Sequence, residues 1–137
     1  LSGAEFAIPS SNGSDDMNGR KIGFWLATAL VAFAMIAGGA ADFLLIDDVK
    51  AGMDHLGYPY YFARLLGVWK VLGGITILAP GFPKLKEWAY AGIFFDLSGA
   101  FVSHLSVGDG IDKLAPPLVL AVLLVVSYVL RPAREVA

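Results

Sequence analysis

The 137 residues contain no cysteine, which removes disulfide, thiol-redox and cysteine–zinc chemistry at once. Charge is scarce as well. Ten Lys and Arg and twelve Asp and Glu make up 16% of the chain, against about 25% in soluble domains. The net charge of −2 offers no electrostatic case for nucleic acid as a partner. Only two histidines are present, and His55 falls in an expected loop, so a bis-histidine haem has no pair of axial ligands inside the apolar segments. No glycine-rich phosphate loop and no HExxH motif occurs, and no metal set is expected. Ser103 and His104 are sequence neighbours and diverge by about 100° on a helix, so no catalytic triad is visible and the catalytic residues are unknown.

What is abundant is apolar surface: 57% of the residues are hydrophobic and the mean hydropathy is +0.67. Four segments reach the length of about 20 mainly apolar residues that a bilayer crossing requires. They run from about Ile22 to Ile46, Tyr58 to Ala79, Lys84 to Leu105 and Leu114 to Leu130. The runs are continuous rather than alternating, which favours helices over a barrel. The expected fold is all-α, a transmembrane four-helix bundle formed by a single domain over 17–137. Residues 1–16, rich in Ser, Gly and Asp, have no apolar core of a signal peptide. They read as a disordered linker or a remnant before a native start at Met17.

The connections are short. Pro80-Gly81-Phe82-Pro83 is a helical hairpin turn, and Ser106–Gly110 joins the last two helices. Asp47–Gly57 is the longest and has room for one amphipathic turn. Arg20, Lys21, Lys84, Lys86, Arg131 and Arg134 flank one side of the expected membrane; only Lys50 and Lys113 flank the other. That bias predicts both termini in the cytoplasm. Trp25, Tyr58, Tyr60, Tyr61 and Trp88 fall near the expected interfaces.

Two charges lie where lipid gives them no hydration: Lys70 near the middle of the second segment and Asp96 near the middle of the third. Ala63, Gly67, Lys70 and Gly74 share one helical stripe; Gly92, Asp96, Gly99 and Ser103 share another. Small residues mark close helix approach, so both charges are expected on packing faces, with Phe94, Leu97 and Phe101 turned to lipid. Counted from the hairpin turn, Lys70 and Asp96 differ in depth by about 4 to 5 Å, a gap a lysine can span directly or through water. The pair reads as a ligand-binding or proton-relay site, or as an ion pair that only fixes helix register. A second cluster is expected nearer the outer face. There Asp42, at the end of a Val31, Ala34 and Gly38 stripe, bridges to Arg64, with His104 capping a carbonyl or lining a vestibule. Glu87 is expected to be solvated or paired with Lys84 or Lys86.

The run from Leu56 to His104, with Gly57-Tyr58-Pro59, Gly67 and Lys70, the Leu85–Gly92 block, Asp96 with Gly99-Ala100, Ser103-His104 and then Ser127-Tyr128, resembles the DoxX-like family of small four-helix membrane proteins. The resemblance covers about Ile22 to Pro132. It implies a bundle in the bacterial inner membrane and, through relatives associated with quinol oxidase and thiosulfate:quinone oxidoreductase, a quinone or isoprenoid lipid as ligand. An accessory subunit linked to membrane redox chemistry is one expectation. A non-enzymatic assembly, scaffold or chaperone-like protein is the other. Lipids, a redox complex and a second copy, met through a Gly/Ala face, are the expected partners. A minimal transporter is disfavoured, because no repeat or broken mid-membrane helix is visible.

Overall fold

The computed structural model describes residues 11–132. Among these the chain is all-helical, with five helices: α1 (Ser11–Leu44), α2 (Asp47–Leu56), α3 (Tyr60–Leu78), α4 (Pro83–Ser106) and α5 (Ile111–Val129). The expected linker lies partly outside the described residues, at 1–10; residues 11–16 are helical and open α1. Arg134, part of the basic flank, also lies outside them.

The four long helices form an up-and-down bundle. α1 packs on α3 and α5, and α4 closes the ring by packing on the same two. Apolar side chains from all four meet at its centre: Val31, Ala32 and Met35 from α1, Ile77 from α3, Tyr90, Ile93 and Leu97 from α4, and Leu124 from α5. Outside that core the helices are apolar too, with Phe33, Trp69, Phe95 and Val129 all well exposed. Such a surface fits lipid rather than water.

α1 over Asp15–Leu44, α3 and α5 are each long and apolar enough to cross a membrane. α4 is not among them, because Lys84, Lys86, Glu87, Asp96 and His104 dilute its hydropathy. Its position settles the matter. It is 24 residues long, about 36 Å at about 1.5 Å per residue, and lies antiparallel to two spanning neighbours. At whatever depth α3 and α5 sit, α4 sits as well.

The fifth helix is the difference from a plain four-helix reading. α2 occupies the Asp47–Gly57 connection as ten helical residues rather than a single turn. Asp47 and Asp48 stand in its first turn, where the helix dipole favours them. Gly57, at φ +81°, ends it in the left-handed conformation and donates its N–H to the Met53 carbonyl at 2.8 Å. None of its residues is buried, so it caps the bundle end without entering it. α5 starts three residues earlier than expected, which places Pro116 and Pro117 inside the helix. Each removes one donor, so the Asp112 and Lys113 carbonyls lose their helical partners near the bundle end.

Candidate functional site

The site begins with two glycines. Gly39 on α1 and Gly67 on α3 face each other so closely that a Cβ on Gly67 would lie 2.5 Å from the Gly39 carbonyl oxygen. A Cβ on Gly39 would meet the Gly67 carbonyl at 2.7 Å. Only glycine allows this approach. Two turns further along α3, Gly74 lies against Ile36 and the Ala32 carbonyl. The expected α3 stripe of Ala63, Gly67, Lys70 and Gly74 is therefore the surface that meets α1. On α1 the contact residue is Gly39 rather than Gly38, whose added Cβ would meet nothing within 4 Å.

The close crossing sets Asp42 opposite Gly67 and within reach of Lys70. Lys70 Nζ donates to Asp42 Oδ2 at 2.8 Å, while Asp96 Oδ2 lies 3.9 Å from the same nitrogen. The Lys70–Asp96 ion pair expected from the sequence is thus present but without a direct hydrogen bond, and Asp42 is the nearer partner. The reason is the close α1–α3 crossing, which sets Gly39 against the Lys70 Cβ and so brings Asp42, three residues along α1, to the lysine. All three side chains are largely but not wholly enclosed, at 21%, 13% and 16% exposure for Lys70, Asp42 and Asp96.

The expected outer cluster of Asp42, Arg64 and His104 does not assemble. Six residues separate Arg64 from Lys70, which puts them about 120° apart on the helix, on opposite flanks of the Gly67 stripe. Arg64 lies over the Phe43 ring, 5.8 Å from its centroid, and no ion pair joins it to Asp42 among the described residues. His104 Nδ1 meets Asp109 Oδ2 at 2.7 Å, and His55 Nε2 meets Asp109 Oδ1 at 2.7 Å. One loop carboxylate thus ties α2 to the end of α4. These two histidine bonds, His104 first, hold Asp109 below the usual carboxylate range. Ser103 shares a hydrogen bond of 2.6 Å with the Tyr58 hydroxyl, so it fastens the start of α3 to α4 and takes no part in the charged site.

The α4 stripe is the larger correction. Gly92 and Gly99 are exposed, and a Cβ on either would meet nothing within 4 Å. Leu97, expected to face lipid, is only 4% exposed and belongs to the core. α4 is turned so that Tyr90, Ile93 and Leu97 pack inward. Gly92 faces an open space between α3 and α4 instead of a neighbouring backbone, and Gly99 is exposed beyond it. That space is a cavity of about 620 Å³, within the range of small-molecule sites. Met35 of α1 contributes to its lining, and Trp69 and Trp88 stand at it well exposed. Ala89, Gly92 and Asp96 line it at i, i+3 and i+7 of α4. Lys70 and Asp96 are the two charged side chains of the lining, and the hydroxyl of Thr76, also in the lining, is donated to the Leu72 carbonyl at 2.7 Å.

The opposite end of the bundle holds polar groups the sequence reading missed. Ser127 Oγ sits 2.5 Å from Thr28 Oγ1 and 2.6 Å from the Tyr90 hydroxyl, joining α1, α4 and α5 through buried hydroxyls. Nearby, Arg131 bonds Glu87 at 2.5 Å and Tyr128 donates to Glu87 at 2.9 Å. Glu87 is therefore held by α5 and the segment after it. Lys86 itself is buried at 2% exposure. The signal for this network was Ser127 and Tyr128 at the end of an otherwise apolar run.

Among the described residues no group of three or more metal-ligating side chains converges. Comparison with curated proteins and with solved structures finds no match. The model of the DoxX-like family matches residues 26–127, from the first turns of the apolar part of α1 to the Ser127 hydroxyl on α5, and the chain belongs to that family.

Proposed function

We propose that this protein is a ligand-binding accessory subunit of membrane redox chemistry, and that it holds a quinone-like isoprenoid in the α3–α4 cavity. One observation carries the reading: the cavity is apolar along its length and has a single ionic point, Lys70 with Asp96, near the middle of α3 and α4. An isoprenoid tail suits the apolar walls, and a polar head suits the ionic point. Asp42 holds Lys70 in place from behind without lining the cavity. The excess of basic residues at the Pro80–Pro83 end supports an inner-membrane protein of the bacterial cell with both termini cytoplasmic. The exposed small-residue face of α4 around Gly99 supports a second copy or a redox-complex subunit as neighbour.

The test is native mass spectrometry of the protein in mild detergent, with extraction and identification of whatever co-purifies. The proposal predicts a stoichiometric isoprenoid in the native chain and its loss from Gly92→Leu. That variant fills the cavity without meeting any neighbour within 4 Å of the new Cβ. Exchangeable phospholipid alone, in both samples, would sink the ligand reading in favour of a scaffold whose buried charges dock a partner helix.

A further inference from the structure

Lys70 Nζ and Asp96 Oδ2 are 3.9 Å apart, too far for a hydrogen bond and too near to be unrelated. Lys70 spends one of its three donors on Asp42 at 2.8 Å and keeps two. A carboxylate can only accept. An oxygen at about 2.8 Å from each atom fits the span with an angle of about 90° at that oxygen. It must accept from Lys70 and donate to Asp96. A hydroxyl oxygen does both. A carbonyl oxygen can satisfy Lys70 alone and would bring a second lone pair toward the Asp96 carboxylate.

Both groups line the cavity, so the bridging atom is one a cavity ligand can supply. On the reading that the cavity holds an isoprenoid amphiphile, we propose that the site selects a hydroxyl-bearing head, such as a quinol or an isoprenoid alcohol, over its carbonyl-bearing counterpart. Asp96 is the selecting residue. Lys70 binds either head, and Asp42 positions Lys70. Gly92 and Ala89, one and two turns from Asp96 on the same face, leave room for the head to approach.

The discriminating group can be changed without changing its shape. Asn at 96 offers an N–H that a carbonyl oxygen accepts, so Asp96→Asn should abolish the preference while conserving the fold. Equilibrium binding is measured on the full chain in lipid nanodiscs, under anaerobic conditions, with decylubiquinol, decylubiquinone and geranylgeraniol as probes. The native protein should bind the quinol about tenfold or more tightly than the quinone, the scale of one hydrogen bond to a charged group. In Asp96→Asn the two should agree within about twofold. Geranylgeraniol separates the sources of the hydroxyl: binding that depends on Asp96 points to any alcohol head, and binding of the quinol alone to an aromatic one. Equal affinity for quinol and quinone in the native protein, or a preference that survives Asp96→Asn, overturns the selection while leaving an occupied cavity in place. Failure of all three probes to bind overturns the cavity reading itself. Helical circular dichroism of each sample shows that the comparison is between folded proteins.

Discussion

At the level of single residues, Lys70 stands between two carboxylates and prefers one. Asp42 is hydrogen bonded at 2.8 Å and Asp96 is not, at 3.9 Å. Double-mutant cycles in reversible detergent unfolding should give a coupling of about 1–3 kcal/mol for Asp42 with Lys70. For Lys70 with Asp96 the coupling should be smaller by a factor of two or more, about 1 kcal/mol or less. The reverse order would mean that Asp96 is the structural partner and Asp42 the free one. The outer latch gives a pH prediction. Folding lowers the Asp109 pKa through His104 and then His55. Its contribution is therefore complete above the ordinary Asp value of about 3.9 and is lost as pH falls through the depressed one. Asp109→Ala should melt below the native protein at about pH 6, and the gap should narrow on acidification below about pH 4. A gap that widens there would show that the carboxylate is not stabilised by folding.

At the scale of helices, the same residue type does opposite things on neighbouring elements. Gly39, Gly67 and Gly74 meet backbone or packed side chains at van der Waals limits; Gly92 and Gly99 meet nothing. Gly67→Ala should destabilise the bundle by about 1–3 kcal/mol, as overpacking against backbone does. Gly99→Ala should be neutral or stabilise α4 by up to about 1 kcal/mol through helix propensity alone. Equal losses at both positions would place Gly99 in a contact that the monomer does not show. The stripes on α3 and α4 were equally legible in the sequence, with matching i, i+4, i+7 and i+11 spacing. The rotation of α4 was not. Spacing says that Gly92, Asp96 and Gly99 share a face, but only the competition for the core between that face and the one bearing Tyr90, Ile93 and Leu97 decides which turns inward. The bulkier face wins because it buries more apolar area. The partner of Asp42 was hidden for a similar reason: spacing along α1 does not say that the Gly39–Gly67 crossing turns Asp42 toward Lys70 rather than Arg64. Lys70 and Asp96, by contrast, were conspicuous as isolated charges in apolar runs, and the structure sets them on one cavity.

For the whole molecule, the bundle and its order follow from four apolar runs and short connections, and the family match over 26–127 agrees. α4 belongs to the membrane by its packing although its hydropathy alone does not qualify it. The absence of cysteine makes this easy to examine, since single cysteines can be placed on a silent background. Cysteines at Lys84 and Lys21 should react with an impermeant maleimide from the cytoplasmic side, and cysteines at Lys50 and Val107 only from the other. Labelling of positions 84 and 107 from the same side would show that α4 does not cross. The proposed ligand site is the α3–α4 cavity. The most direct measurement is photo-crosslinking with an azido-quinone in nanodiscs, with the modified residues located by peptide mass spectrometry. Occupancy of the cavity predicts label on the α3 stretch 66–76 and the α4 stretch 88–96, displaced by excess unlabelled ligand and absent from Gly92→Leu. Label concentrated on α5, or spread over the lipid-facing surface and insensitive to competitor, would contradict it.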